Sequence, residues 1–146
     1  MNRVHVVRAL IQSRARVDSH DTDDNTALIY AAMRGSLPIT QALIDAGASD
    51  AAGEDDRTAL MFAVMETSTE HLDVAKALLR AGTPVNTRDD AGESALMLAA
   101  TVGNVKAAKR LLKAGADRTL LNKEGKTAAV LAREKGHEAV VALLEA

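Results

Sequence analysis

The chain has 146 residues, 47% of them apolar, and a formal net charge of −2, a composition that is typical of one folded domain. It has no cysteine, which excludes disulfide bonds and thiol chemistry. A net charge this small favours neither nucleic acid nor an anionic membrane as a partner, and no apolar run reaches the roughly 18 residues of a membrane span.

Residues that begin and end helices recur along the chain at a nearly constant spacing. Hydroxyl side chains that can cap a helix occur 32, 36 and 33 residues apart, at Thr26, Thr58, Ser94 and Thr127. Glycines suited to the end of a helix, where φ is positive, follow at Gly47, Gly82 and Gly115. Two short helices and a turn fit in each interval. The pattern predicts an all-α array in which each unit buries its apolar side only against its neighbours.

The spacing divides the chain into five units. Residues 1–20 form a partial N-terminal repeat with one helix, whose apolar side is Val4, Val7, Leu10 and Ile11 and whose stop glycine is replaced by Arg14. Residues 21–52 and 89–121 are regular repeats, residues 53–88 are a repeat with a three-residue insertion, and residues 122–146 are a more polar C-terminal capping repeat. The insertion, residues 67–69, is expected to lengthen a helix by about one turn, with Thr67 and Glu70 as its capping box. Ser36 is expected to cap the second helix of residues 21–52.

Phased sequence words carry a family resemblance over almost the whole chain. Thr26-Ala-Leu-Ile-Tyr-Ala-Ala, Thr58-Ala-Leu-Met-Phe-Ala-Val and Ser94-Ala-Leu-Met-Leu-Ala-Ala resemble the Thr-Pro-Leu-His-x-Ala-Ala motif of ankyrin repeats. The motif's Pro is Ala here and its His is apolar, so packing must replace the hydrogen bonds of that His. The Thr-Ala-Leu-Met form is similar to that of bacterial ankyrin proteins. The resemblance implies a solenoid of stacked helix-turn-helix units with projecting β-turn or hairpin fingers.

The predicted fingers concentrate negative charge. Residues 17–25, 48–57 and 83–93 (fingers 1, 2 and 3) hold 11 acidic and two basic residues, a local charge of −9, which leaves +7 for the rest of the chain. The resemblance therefore implies a row of carboxylates along one edge, which would attract a basic surface: Asp21, Asp23, Asp24, Asp50, Glu54, Asp55, Asp56, Asp89, Asp90 and Glu93. Ordinary turn and helix-cap roles explain the same residues equally well. Arg118, Lys123 and Lys126 end the row in the last finger.

The family's contact positions supply the remaining candidate residues. The resemblance places them in the fingers, including Arg57, and at the end of each first helix, at Met33 and Arg34, Met65 and Glu66, and Thr101 and Val102. Tyr30, Phe62 and Leu98 would line the inner helices. Tyr30 and Phe62 are the only aromatic residues and are our first choice for an anchor, although packing between repeats explains them equally well.

These features predict a non-catalytic module that binds a protein partner, as a monomer, through acidic fingers and the inner helices. It would need no cofactor, nucleic acid or membrane. A structural scaffold, or the end fragment of a longer repeat protein, is one alternative. An enzyme or metal site is another, using Asp21, Asp23 and Asp24 or the four histidines, but these lack the spacing of a metal site or a triad. No export signal is visible, which favours the cytoplasm over a periplasmic or secreted mature form.

Overall fold

The computed structural model describes residues 3–13 and 15–146, so the prediction for Arg14 lies outside the described residues. Within them the chain forms nine α-helices: α1 (Arg3–Gln12), α2 (Ala27–Met33), α3 (Leu37–Asp45), α4 (Ala59–Met65), α5 (Thr69–Arg80), α6 (Ala95–Thr101), α7 (Val105–Lys113), α8 (Ala128–Glu134) and α9 (Glu138–Glu145). The same residues contain no β-strand, and a single isolated bridge pairs Arg88 with Ser94. The all-α prediction is confirmed.

The helices stack in two layers. The shorter first helices α2, α4, α6 and α8 contact one another in that order, and the second helices α1, α3, α5, α7 and α9 form a parallel series behind them. Of the 29 buried apolar residues in the described part of the chain, 13 are alanine. Such small side chains let neighbouring helices approach closely, and the larger Leu28, Leu60 and Leu96, each 1% exposed, fill the space between layers as expected.

The four predicted caps of the first helices are confirmed. Thr26, Thr58, Ser94 and Thr127 each accept a hydrogen bond from the backbone N–H three residues later, at 3.3 to 3.4 Å. Gly47, Gly82 and Gly115 have φ values of 87°, 85° and 91°, as their positions after a helix predicted. At the corner where the family motif has His, Ile29, Met61 and Met97 are at most 1% exposed, so apolar packing does fix it.

Three details of the second helices differ from the prediction. Helix α5 has 12 residues against 9 in α3 and α7, so the insertion does add about a turn, but its cap is Ser68 and not Thr67. Ser36 precedes α3, yet its side chain caps no amide. Leu10 is 54% exposed, because α1 packs on α3 through Val7 and Ile11 and turns Leu10 outward.

Candidate functional site

One side chain organises each regular finger. Asp21 Oδ1 accepts the N–H groups of Asp23 and Asn25, both at 3.0 Å. Asp89 Oδ1 likewise accepts the N–H groups of the residues two and four positions later in the chain, at 3.0 and 2.8 Å. Asn122 Oδ1 repeats the pattern in the last finger. A short side chain that accepts two nearby amides fixes a turn, so these three positions are structural.

Asp21 is exposed all the same, whereas Asp89 is not an available carboxylate. It is 6% exposed and pairs with Arg57, whose Nε lies 3.2 Å from Asp89 Oδ2. The pair joins finger 2 to finger 3. This corrects the prediction that Asp89 belongs to an exposed acidic row, and it places Arg57 in a contact within the molecule.

Asp50 also faces inward. Its carboxylate accepts the N–H groups of Ala59 at 2.6 Å and Leu60 at 3.3 Å, at the first turn of α4. Burial raises the pKa of Asp50 to about 6, and these amide hydrogen bonds only partly oppose the shift. Its predicted place in the exposed row is corrected as well.

The tips of fingers 1 and 2 carry carboxylates on left-handed backbone. Asp24, Asp55 and Asp56 have φ values of 56°, 58° and 57°. Gly92 and Gly125 occupy the position of Asp24 and Asp56 in the later fingers, also with positive φ. Among residues with a side chain, Asp and Asn accept this conformation most readily, which limits the substitutions that the finger tips tolerate.

Neighbouring fingers are joined through their backbones. The N–H of Asp90 donates to the carbonyl of Asp55 at 2.9 Å, and the N–H of Lys123 donates to that of Ala91 at 3.0 Å. The Asp56 carboxylate next to Asp90 raises the pKa of Asp90 through a hydrogen bond and through its charge. Fingers 2 and 3 thus bring like charges together, and the charge of Lys123 only partly opposes the shift.

After these corrections the exposed acidic row is shorter. Its members are Asp21, Asp23, Asp24, Glu54, Asp55, Asp56 and Asp90, all exposed, while Glu93 is half-buried. In the last finger Lys126 lies 2.8 Å from Glu124 and 3.0 Å from Glu134, and it lowers the pKa of Glu124. These two acids therefore share one cation within the molecule.

Apolar exposure beside the row is concentrated on α2. Tyr30 is 39% exposed and Met33 is 45% exposed, with Arg34 exposed next to them. The Tyr30 hydroxyl donates to Asp21 Oδ2 at 2.7 Å, which lowers the pKa of Asp21 and raises that of Tyr30. This bond ties the ring to finger 1.

The other inner-helix candidates are less accessible. Phe62, Met65, Thr101 and Val102 are half-buried, Glu66 is exposed, and Leu98 is 4% exposed within the core. We define the finger–helix surface as the exposed acidic row together with Tyr30, Met33 and Arg34. Leu98 lies outside it.

The ends of the first helices are held by side chains at the start of the second helices, through contacts that the sequence pattern did not predict. His71 Nε2 donates to the Met33 carbonyl at 3.1 Å, and His137 Nε2 donates to the Thr101 carbonyl at 3.0 Å. Between them, Asn104 Nδ2 donates to the carbonyls of Val64 and Glu66 at 3.0 and 2.8 Å. In the sequence, His71 and His137 occupy the position of the helix-starting His of ankyrin repeats, and Asn104 lies 33 residues from each of them.

The described residues contain neither a cluster of metal ligands nor a membrane-spanning helix. No group of three or more His, Asp or Glu side chains there is arranged to hold a metal ion. No helix in that part of the chain is both long and apolar enough to cross a bilayer.

Comparison with protein families accounts for the repeated architecture. A family model described as ankyrin repeats (3 copies) matches residues 1–89 and 67–146. The chain belongs to the ankyrin repeat family. No curated protein sequence matches it. Ankyrin repeats are in general protein–protein interaction modules and are typically not enzymes.

Proposed function

We propose that this ankyrin repeat protein is a non-catalytic module that binds a basic segment of a protein partner on the finger–helix surface. The observation that carries the proposal is the exposed acidic row, whose carboxylates lie on three consecutive fingers, the second and third of which are joined by a backbone hydrogen bond. Aligned charges of one sign attract a surface of the opposite sign and speed association.

The side chains of α2 supply the apolar part of the surface. Tyr30 and Met33 expose apolar area next to finger 1, and the bond to Asp21 holds the tyrosine ring in place before a partner arrives. A fixed aromatic side chain loses little conformational entropy on binding, which suits an anchor residue.

The proposal is tested with three baits in affinity capture followed by mass spectrometry. The first is the parent, and the second carries Asp55→Asn, Asp56→Asn and Asp90→Asn. Asparagine keeps the left-handed backbone at the first two positions while it removes the charge. The third bait carries Asp45→Asn, Glu70→Gln and Glu138→Gln, which make the same change of net charge on the second helices.

The parent and the third bait should retain the same partner, and the finger variant should lose it. Equal retention by all three folded baits would reject the role of the acidic row. A melting temperature that rises with added calcium or zinc and falls with EDTA would instead favour a metal site.

A scaffold role is the second candidate, and exposed apolar side chains on α1 favour it. Val6 is 39% exposed and Leu10 is 54% exposed, which a further packed helix would cover. Failure of the folded parent to capture any partner through its fingers would favour this role. A monomeric state, a cytoplasmic location and a bacterial origin stay predictions.

A further inference from the structure

The outer side of α7 carries an unbalanced stripe of positive charge. Lys106, Lys109, Arg110 and Lys113 follow the spacing of one helical face, and all four are exposed. Helix α7 contains no acidic residue. Within the described part of the chain, none of these four cations forms an ion pair.

This arrangement works against the stability of the helix. Like charges three and four residues apart on a helix repel one another, and Lys106 lies in the first turn, where the helix dipole disfavours a cation. Only Arg110 and Lys113, in the last turn, are placed favourably. Helix α5, by contrast, has two acidic and two basic residues, and its Asp73 pairs with Lys76.

The stripe borders a groove between α5 and α7. Two adjoining depressions share Arg110 and Lys113 and have Leu72 and Leu79 as their apolar lining. Arg80 adds positive charge from the α5 side, where Lys76 is already paired with Asp73, and among the described residues no carboxylate lines either depression. We call this feature the α5–α7 groove, formed by Leu72, Leu79, Lys76, Arg80 and the four cations of α7.

We propose that the α5–α7 groove docks an acidic peptide segment of a partner protein. Apolar side chains of the segment would lie on Leu72 and Leu79, and its carboxylates would lie between the cations of the two helices. This surface belongs to the second-helix layer, so the inference goes beyond the proposed role of the fingers.

The lining of the groove favours a peptide over a nucleic acid. Its floor is aliphatic, and no aromatic side chain is present on which a base would stack. The stripe from Lys106 to Lys113 extends about 10 Å along the helix, so it would contact only roughly three phosphates of one nucleic-acid strand. Burial of leucine-like side chains between charged rims matches an amphipathic acidic segment.

The test uses a fluorescein-labelled peptide in which pairs of glutamate alternate with leucine, titrated with the purified protein and followed by fluorescence anisotropy. The groove variant carries Lys106→Gln, Lys109→Gln, Arg110→Gln and Lys113→Gln. The control variant carries Arg3→Gln, Arg16→Gln, Lys123→Gln and Lys135→Gln, an equal change of charge at exposed sites outside the groove.

The groove variant should bind the peptide about tenfold more weakly than the parent, and the control variant should bind within about twofold of it. Replacing the peptide's leucines with serine should also weaken binding, because the floor then loses its apolar contact. The groove variant should melt no lower than the parent, since repulsion on α7 is removed. A double variant, Lys109→Gln with Arg110→Gln, should show an intermediate loss.

Four results would overturn the proposal. Equal loss in the groove and control variants would mean that net charge alone drives binding. Undiminished binding of the peptide with glutamine in place of glutamate would exclude recognition of carboxylates. Tighter binding of a DNA duplex of equal charge would assign the groove to nucleic acid. Sedimentation showing that the parent self-associates, and that the groove variant does not, would assign it to a second copy of the chain.

Discussion

At the scale of single residues, Asp50 shows that one position of the repeat can have different structural roles in different repeats. Three residues after its stop glycine, the chain has Asp50, whereas the corresponding position in the next repeat is Val85. The carboxylate caps α4 from a site that is otherwise apolar, and burial raises its pKa to about 6. The ionised carboxylate of Asp50 therefore lowers the free energy of unfolding at neutral pH.

We expect the Asp50→Asn variant to gain stability relative to the parent as pH rises. The folded pKa lies above the usual 3.8, so the folded state binds more protons between about pH 4 and 6, and the parent loses stability over that range. The stability difference, variant minus parent, should be greater at pH 7 than at pH 4 by roughly 2 kcal/mol. Urea denaturation at both pH values measures it. An equal change in Asp23→Asn would show that net charge, and not burial, is responsible.

Asn104 joins two repeats through a single amide side chain. Its Oδ1 accepts the N–H of Ala107 at 3.1 Å, which caps α7, and its Nδ2 reaches two carbonyls of the preceding repeat. We expect Asn104→Ala to lower the free energy of unfolding by about 2 to 4 kcal/mol, since it removes a cap and leaves buried carbonyls unpaired.

Ser36 provides the matched control for Asn104. It occupies the same position two repeats earlier but caps no amide, so Ser36→Ala should change the free energy of unfolding by less than about 0.5 kcal/mol. Chemical denaturation of both variants makes the comparison. Similar losses in the two would refute a special role for Asn104.

At the scale of helices, the insertion before α5 creates a choice between neighbouring hydroxyl groups. Ser68 Oγ accepts the His71 N–H at 3.3 Å and lies 2.7 Å from His71 Nδ1. His71 Nε2 donates to a carbonyl, so in the neutral ring Nδ1 accepts the serine proton. Ser68 thus both caps α5 and orients the histidine that bonds the preceding repeat.

We expect Ser68→Ala to destabilise the protein by about 1 kcal/mol and Thr67→Ala to have almost no effect. Thermal melting of the two variants followed by circular dichroism distinguishes them. A larger loss from Thr67→Ala would restore the capping box that its spacing to Glu70 suggested.

The same helices show which features a sequence reveals. Thr26 and Ser94 were predictable as caps because each acts on an amide three residues away. The inward positions of Asp50 and Asp89, and the bond from His137 to Thr101, depend on residues in other parts of the fold. Spacing alone does not show which of two aspartates in a finger faces the solvent, because that is decided by packing between repeats.

At the scale of the whole molecule, net charge conceals a strong separation of charge. The formal net charge of −2 is the sum of negative charge in fingers 1, 2 and 3 and positive charge in the rest of the chain. Composition suggested no attraction to anionic partners, but the four cations of α7 lie together on one exposed face. The acidic and basic surfaces thus lie on different parts of the array, the fingers and the outer side of α7.

Burial also varies along the array, and hydrogen exchange should report it. Six of the seven residues of α6 are buried, and this helix packs against α4, α7 and α8, whereas α1 has no buried residue. In a repeat array each unit is stabilised mainly by its neighbours, so α1 should open locally at a small cost in free energy. We expect native-state exchange to protect the α6 amides nearly to the global free energy of unfolding and those of α1 far less. Equal protection of both helices would mean that the array unfolds as a single cooperative unit despite its uneven core.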